Sequence, residues 1–169
     1  MTGIVIRDAT PADFDVICAL NLAEVQHTSP MDRDRLVVLD GLASWHRVAS
    51  VDGEVRAFLL AMTSGAAYEN DNFGWFARHV PSFVYVDRIV VSAQARGMRL
   101  GPLLYEDLFA YARQRGIPCV TCEYNIDPPN EPSRRFHDRF GFRELATQWV
   151  AHGTKQVSLQ VAAVDPVVS

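Results

Sequence analysis

Residues 83–108, FVYVDRIVVSAQARGMRLGPLLYEDL, decide the fold, because an apolar run leads directly into a glycine-containing turn and then a helix. Gly97 and Gly101 lie in the turn, and Pro102 lies just inside the helix, where its missing N–H costs nothing. A strand that feeds such a turn brings backbone N–H groups to the positive end of a helix dipole, which favours an anion. The stretch therefore predicts a phosphate-binding turn.

Two common nucleotide-binding motifs do not account for this turn. The Walker motif is excluded because Gly97 and Gly101 are too close together and no Lys-Ser/Thr pair follows them. The dinucleotide motif GxGxxG is excluded because its glycines are missing. The sequence thus predicts neither a P-loop ATPase nor a Rossmann dehydrogenase.

Length and composition predict one α/β or α+β domain spanning residues 1–169. Of the 169 residues, 49% are hydrophobic and 21% are charged, which is ordinary for a globular chain with a full core. The net charge of -4 disfavours nucleic acid as a partner. No apolar stretch approaches the roughly 20 residues of a membrane span, and the N-terminus does not resemble a signal peptide. We therefore expect a cytoplasmic protein without a membrane partner.

The cysteines and histidines predict no metal site. Cys18, Cys119 and Cys122 make an odd count, which suits a reducing compartment. Cys119 and Cys122 form a CxxC, but their odd offset within a strand directs the two thiols to opposite faces. We interpret them as inert, buried thiols. The chain has no HExxH motif and no second CxxC.

Hydrophobic periodicity and turn residues predict the element order β-α-α-β-β-β-α-β-α-β-β. The predicted strands are 4–7, 46–51, 54–63, 83–91, 117–124, 142–150 and 157–161. The predicted helices are 10–26, 32–42, 103–115 and 133–139. Residues 64–80 are predicted to be a long loop. Loops of this length are often functional, although a surface loop with one aromatic plug is the alternative.

The stretch VYVDRIVVSAQARGMRLGPLLYEDL resembles the acyl-CoA-binding motif of the GNAT superfamily of N-acetyltransferases. That motif reads Arg/Gln-x-x-Gly-x-Gly/Ala after the fourth strand, and its turn wraps the pyrophosphate of the coenzyme. Arg96 and Gly101 match the motif, whereas Arg99 occupies the position of the middle glycine. Arg99 can add a cation there, and Gly97 can carry part of the turn.

A second stretch, NEPSRRFHDRFGF, resembles the second motif of the same superfamily, Asn-x-x-Ala/Ser-x-x-x-Tyr followed by Gly-Phe. Asn130, Ser133, Gly141 and Phe142 match it, and His137 replaces the tyrosine. The resemblance covers residues 4–162 and implies the GNAT fold, an α/β (α+β) mixed sheet of six to seven strands with about four helices. Its details point to a poorly characterised bacterial branch.

The resemblance implies acetyl-CoA as cofactor and a set of residues that contact it. Backbone groups of Ile89, Val90 and Val91 are expected to meet the pantetheine arm. The other expected coenzyme contacts are Arg96, Gly97, Met98, Arg99, Leu100, Gly101, Pro102, Asn130, Ser133, Phe136 and His137.

Acetyl transfer to an amine needs a base for the amine and a proton for the departing thiolate. Asp87 is the acid in an otherwise apolar strand and is a candidate base, with an ion pair to Arg88 or another arginine as the alternative. Glu123 is the second candidate base. His137 is a candidate acid for the thiolate, with a packing or coenzyme-contacting role as the alternative.

The resemblance also places several side chains on the acceptor side, although amphipathic packing explains them equally well. They are Asn21, Glu24, Tyr68, Glu69, Asn72, Phe73, Trp75, Tyr85 and Tyr124. The leading hypothesis is an acetyl-CoA-dependent N-acetyltransferase that acts on a small-molecule or peptide amine. Arg99 and His137 keep open a non-catalytic acyl-CoA sensor, and a structural domain without coenzyme is a third hypothesis. The acceptor, the acyl chain length and the oligomeric state, with a homodimer among its alternatives, stay open.

Overall fold

The computed structural model describes residues 3–25 and 28–165. It contains seven β-strands: β1 Ile4–Asp8, β2 Trp45–Val51, β3 Glu54–Thr63, β4 Val84–Val91, β5 Cys119–Asp127, β6 Arg143–Val150 and β7 Lys155–Ala163. The α-helices of the described residues are α1 Phe14–Ala23, α2 Arg33–Leu42, α3 Asp71–His79, α4 Leu100–Gln114 and α5 Glu131–Arg139.

The strands form one mixed sheet of seven strands in the order β1-β2-β3-β4-β5-β7-β6. β4 and β5 are parallel, with Val84 opposite Val120 and Tyr85 opposite Thr121. β5 and β6 each pair with β7 in antiparallel fashion. The predicted class of α/β fold with a mixed central sheet is confirmed.

The chain divides into two compact units, Met1–Met62 with Val86–Ala110 and Thr63–Tyr85 with Tyr111–Ser169. In the first unit, β1, β2 and β3 form an antiparallel meander. Helices α1 and α2 bury Phe14, Ile17, Leu36 and Leu39 there. A single domain over residues 1–169 stays a prediction.

Aromatic side chains form the core of the second unit. Phe73 packs edge-to-face on Phe83 and Tyr85, with ring centroids 5.5 and 5.6 Å apart. Phe76 lies 6.0 Å from both of those rings. Phe76, Phe83 and Tyr85 are fully buried, so the cluster fixes helix α3 to the sheet of its own unit.

The predicted long loop 64–80 is wrong in part, because α3 occupies its second half. Asn70 caps this helix: its side-chain oxygen accepts from the backbone N–H groups of Asn72 and Phe73, each at 3.0 Å. Phe73 and Phe76 lie three residues apart and form one buried face. Gly74 and the asparagines concealed this helix in the sequence pattern.

The remaining predicted elements are confirmed within a few residues at their ends. α2 begins after the N-cap Asp32, whose side chain accepts from the backbone N–H of Arg35. α1 is preceded by a 3-10 turn at Pro11–Asp13 and ends at Ala23. The predicted continuation is wrong at Glu24 and Val25, which form a turn, and Gln26 lies outside the described residues. The described residues form five α-helices rather than about four, and α3 is the additional one.

No helix within residues 3–25 and 28–165 is long and apolar enough to cross a membrane. Cys18, Cys119 and Cys122 form no disulfide within the described residues. Cys119 and Cys122 lie on opposite faces of β5, as expected, and burial raises the pKa of the Cys119 thiol. The Cys119 thiol donates to the backbone oxygen of Ser82 at 3.3 Å.

Candidate active site

The predicted phosphate turn has two residues in the left-handed region. Gly97 has φ +83° and Arg99 has φ +61°. The left-handed conformation is normal for glycine but costly for arginine. Arg99 therefore has, at a cost, the backbone conformation that suits the glycine of the motif. A Cβ atom built on Gly97 would meet nothing within 4 Å, so the backbone there faces open space.

Helix α4 begins directly after Arg99, whose carbonyl accepts from the N–H of Leu103 at 3.1 Å. The first N–H groups of a helix have no acceptor within the helix, so this end can donate to an anion. Arg96 and Arg99 are exposed beside it. The donor set and the open backbone at Gly97 fit a pyrophosphate group. Leu100 is buried, so only its main chain can take part.

On β4, Ile89 and Val91 are half-buried, whereas the side chain of Val90 is buried. Their predicted main-chain contacts with the coenzyme stay a prediction. Asp87 lies in the same strand, and its side chain is only 4% exposed. Its Oδ2 accepts from Nε of Arg88 at 2.9 Å, which is the ion pair left open as an alternative.

Arg88 also holds α1 in place. Its Nη1 donates to the Asn21 side-chain oxygen and to the Ser29 backbone oxygen, both at 3.0 Å. Asn21 is fully buried and donates from Nδ2 to the same Ser29 oxygen at 2.9 Å. Asp87, Arg88 and Asn21 therefore form one buried network, and the place of Asn21 in it favours the packing alternative to acceptor binding. Glu24, directly after α1, is half-buried, and its acceptor role stays a prediction.

The second unit brings together several of the predicted acceptor-side residues. The hydroxyl of Tyr85 donates to Oε1 of Glu123 at 2.9 Å. The Tyr68 ring lies 5.5 Å from Phe73 and 6.5 Å from Tyr85. Thr121, two residues before Glu123, faces the same side of β5. We call Tyr68, Phe73, Tyr85, Thr121 and Glu123 the Glu123 cluster.

Thr121 adds a polar atom to this largely aromatic cluster. Its hydroxyl oxygen is buried and has no hydrogen-bond partner among the described residues. Buried hydroxyls are almost always hydrogen-bonded, so an unsatisfied one indicates a place for a further polar group. The Glu123 cluster thus combines a half-buried carboxylate, a phenol that orients it, and an unsatisfied hydroxyl.

A groove of about 380 Å³ opens at the start of α3. Its lining residues, which we call the Trp149 groove, are Glu69, Asn70, Asp71, Arg78, Gln148 and Trp149. Asn70 connects it to the Glu123 cluster, because its Nδ2 donates to the Tyr68 hydroxyl at 3.4 Å. Sequence reasoning missed Gln148 and Trp149, which lie far along the chain in β6.

Two other predicted acceptor residues have structural partners. Asn72 accepts at Oδ1 from Nε2 of Gln148 at 3.0 Å, which ties α3 to β6. Trp75 stacks on His79 with ring centroids 4.1 Å apart. His79 is in turn 2.7 Å from the Trp75 backbone oxygen through Nδ1. These contacts favour packing roles for both residues.

Helix α5 carries the second predicted coenzyme motif. Asn130 caps the helix, and its side-chain oxygen accepts from the N–H of Ser133 at 3.3 Å. His137 is 4% exposed, and its Nδ1 lies 2.7 Å from the Ser133 carbonyl oxygen and 3.2 Å from the Ser133 hydroxyl. Phe136 packs edge-to-face on His137 at 5.3 Å.

Burial lowers the pKa of His137, which keeps the imidazole neutral at pH 7. A neutral ring that gives its Nδ1 proton to the Ser133 carbonyl has no second proton to deliver. The packing alternative for His137 is therefore favoured over the acid role. The Tyr124 ring lies 5.6 Å from the imidazole.

One unit thus has a helix start whose N–H groups can donate to an anion, and the other has a carboxylate that a phenol orients. Residues 19–142 match the model of the acetyltransferase (GNAT) family, which covers well over half of the chain. The chain therefore belongs to the GNAT family and is an acetyltransferase whose cofactor is acetyl-CoA.

Comparison with individual proteins shows one relative with a similar sequence and solved structures with the same fold. The chain is 29% identical over 143 residues to the 5-NmdU N-acetyltransferase of Pseudomonas phage PaMx11, which spans 82% of this chain and 86% of that protein. The ribosomal-protein-S18-alanine N-acetyltransferase of Escherichia coli superposes with a TM-score of 0.74 at 13% identity, over 99% of this chain and 97% of that one. The structure of yncA of Salmonella typhimurium with acetyl-CoA superposes with a TM-score of 0.71 at 21% identity, over 99% of this chain and 97% of that one.

Proposed function

We propose that this acetyltransferase moves the acetyl group of acetyl-CoA to a primary amine by direct attack of the amine on the thioester. The observation that carries the proposal is the Tyr85–Glu123 hydrogen bond of 2.9 Å within the aromatic Glu123 cluster. A half-buried carboxylate that a tyrosine hydroxyl orients is suited to accept a proton from an ammonium or an attacking amine.

Glu123 acts as the general base in this proposal. Tyr85 donates to one carboxylate oxygen and fixes its direction, and a carboxylate can accept further hydrogen bonds beyond this one. The Thr121 hydroxyl lies on the same face of β5 and supplies a partner for the amine or for a water that relays its proton. Tyr68 and Phe73 limit water around these groups.

Asp87 takes a structural role in the same proposal. Its carboxylate is paired with a guanidinium that is itself 6% exposed, and that guanidinium has two further acceptors. A carboxylate that is buried against a guanidinium is already occupied by that partner and is poorly placed to meet an amine. Glu123 is therefore the stronger candidate of the two carboxylates.

Coenzyme binding is assigned to the α4 start and its arginines. Main-chain N–H groups from Gly97 onward would receive the pyrophosphate, and Arg96 and Arg99 would add charge-assisted contacts. The bound coenzyme supplies the activated acetyl group. Gly97 permits the close approach because it has no side chain and its Cα faces open space.

The Trp149 groove is the proposed entrance for the acceptor. Glu69 and Asp71 outnumber Arg78 and leave the groove with a net negative charge, which suits an ammonium group. Trp149 is 53% exposed and offers a flat apolar surface. A flat ring that carries an aminomethyl group would use both features. The phage relative is named a 5-NmdU N-acetyltransferase, and 5-NmdU is therefore an acceptor candidate beside simple alkylamines and peptide amines.

Turnover tests the proposal and separates it from a non-catalytic acyl-CoA sensor. The protein is mixed with acetyl-CoA and a panel of polyamines, peptide N-termini and 5-NmdU, and the released thiol is followed with a thiol reagent. We expect at least one amine to accelerate thiol release and to gain an acetyl group by mass spectrometry. Thermal stabilisation by CoA without acceleration by any amine would favour the sensor, and no stabilisation would favour a structural domain.

A further inference from the structure

The segment that leads from β4 into the glycine turn is held to the neighbouring strand β3. β3 and β4 are adjacent in the sheet, and β4 ends at Val91. The next residue, Ser92, donates its backbone N–H to the Arg56 carbonyl oxygen of β3 at 2.7 Å. The main chain is therefore still bonded to β3 at the point where the turn begins.

The side chain of Arg56 makes a second contact with the same segment. Its Nη1 donates to Oε1 of Gln94 at 2.7 Å, and its Nη2 donates to Oε2 of Glu54. Gln94 lies in the 3-10 turn Ala93–Ala95, and its backbone N–H donates to the Ser92 side-chain oxygen at 3.2 Å. Because a guanidinium holds its N–H donors in a fixed planar fork, the bond to Glu54 also orients the bond to Gln94. We call Arg56, Ser92 and Gln94 the Arg56 latch.

The 3-10 turn connects the Arg56 latch to the glycine turn. Ala95 is 2% exposed, and its carbonyl oxygen accepts from the N–H of Met98 at 3.2 Å. Gly97 lies inside the loop that this bond closes, and Arg99 follows with φ +61°. Gly97 and Arg99 are both exposed, so burial in a core does not hold them in place. The direction of their N–H groups therefore depends on where the 3-10 turn is held.

We propose that Arg56 is a positioning residue for coenzyme binding, because it holds the start of the turn so that the N–H groups from Gly97 onward face the pyrophosphate. This inference rests on the proposed assignment of the coenzyme to this turn. A binding loop that is ordered before the ligand arrives loses less conformational entropy on binding, so the affinity depends on the latch. Arg56 acts through Gln94 in this account and need not touch the coenzyme.

Calorimetry of CoA binding tests the Arg56 latch. Arg56→Met removes the guanidinium donor, and Gln94→Met keeps a long side chain but removes the acceptor. Each variant should raise the Kd for CoA by roughly three- to tenfold, as expected for the loss of one hydrogen bond. The double variant should bind no more weakly than Arg56→Met, because both substitutions break the same contact.

Two matched control variants keep the Arg56 latch intact. Glu54→Gln keeps an acceptor for Arg56, and Arg33→Met removes one positive charge from the exposed ion pair with Asp15. Both should keep the Kd for CoA within about twofold of the parent. The proposal is overturned if Arg56→Met has the parental Kd, or if Arg33→Met weakens binding as much as Arg56→Met does. It is also overturned if Gln94→Met has the parental Kd while Arg56→Met binds weakly, since that pattern belongs to a guanidinium that contacts the coenzyme itself.

Stability and turnover distinguish positioning from a damaged fold. The Arg56 side chain is 32% exposed, so Arg56→Met should unfold near the parental urea concentration. At saturating acetyl-CoA and amine its kcat should stay within about twofold of the parent, while the KM for acetyl-CoA rises with the Kd. A lower kcat with an unchanged KM would overturn the proposal. Calorimetry needs no turnover, so a parent protein that binds CoA but acetylates no amine refutes the proposed transfer alone, whereas one that does not bind CoA refutes the Arg56 latch as well.

Discussion

The buried pair of Asp87 and Arg88 is predicted to stabilise the fold rather than to catalyse. Arg88→Met removes the guanidinium, keeps an apolar stem and leaves a carboxylate that is 4% exposed without its ion-pair partner. It also removes the donor to Asn21 and to the Ser29 carbonyl. Breaking a buried ion pair from one side costs about 3 to 5 kcal/mol, and we expect a loss of unfolding free energy in that range.

Arg33→Met is the matched control, because Arg33 and Asp15 form an ion pair whose side chains are 51% and 89% exposed. An exposed pair contributes at most about 1 kcal/mol, so this variant should unfold near the parental urea concentration. Asp87→Asn keeps the side-chain shape and an acceptor for Arg88, and it should cost about 1 to 3 kcal/mol. Arg88→Met should therefore cost less in the Asp87→Asn background than in the parent.

Urea denaturation at pH 7, followed by circular dichroism and tryptophan fluorescence, measures these differences where the two signals coincide. The reasoning is refuted if Arg88→Met costs no more than Arg33→Met. It is also refuted if Asp87→Asn keeps parental stability but loses turnover by roughly 10² or more, since that pattern belongs to a catalytic base.

Three further predictions concern a pH-dependent ion pair, the coenzyme turn and α3. The ion pair with Arg7 lowers the pKa of Asp13 to about 2 from 3.8. The ion pair therefore contributes stability above about pH 4, and this contribution is lost as the pH falls to about 2. The urea midpoints of Asp13→Asn and the parent should converge over that interval. The free energy of unfolding of Arg99→Gly should exceed that of Arg99→Ala by up to about 1 kcal/mol, because φ is +61° at this position. Both variants should bind acetyl-CoA more weakly than the parent in calorimetry, because the guanidinium is lost. Asn70→Ala removes the α3 cap and should lower the free energy of unfolding by about 1 kcal/mol in urea denaturation. Asn70→Asp keeps a side-chain acceptor at the cap and should retain most of that stability. The Asp13 prediction is contradicted if the difference between the parent and Asp13→Asn midpoints does not change with pH. The Arg99 prediction is contradicted if the two Arg99 variants are equally stable. The Asn70 prediction is contradicted if Asn70→Ala is as stable as the parent.

Local signals in the sequence predicted most of the elements. The Asp52-Gly53 pair predicted the β2–β3 hairpin. Both residues have the positive φ, +51° and +87°, that a tight hairpin turn requires. Asp32 gave the start of α2. The α3 helix was missed, because its nine residues include a glycine and its stability comes from the packing of Phe73 and Phe76 rather than from helix propensity.

The candidate site was only partly predictable, because its contacts are distant in sequence. Glu123 and Tyr85 were both named, but their hydrogen bond joins residues 38 positions apart on parallel strands. Whether Asp87 would be paired depended on how Arg88 is oriented, which a single strand pattern does not define. Arg56 and Gln94 are likewise 38 positions apart, and their contact depends on β3 lying beside β4 in the sheet.

The most direct test of the central claim, that Glu123 is the base, is the pH–rate profile of Glu123→Gln at saturating acetyl-CoA. Glutamine keeps the shape and an acceptor for Tyr85 but loses the basicity. We predict that kcat falls by roughly 10² to 10⁴, that the low-pH limb of the profile disappears, and that the KM for acetyl-CoA stays within about twofold. The claim is contradicted if Glu123→Gln keeps a kcat within about threefold of the parent and an intact low-pH limb, while Asp87→Asn loses most of its kcat and its low-pH limb.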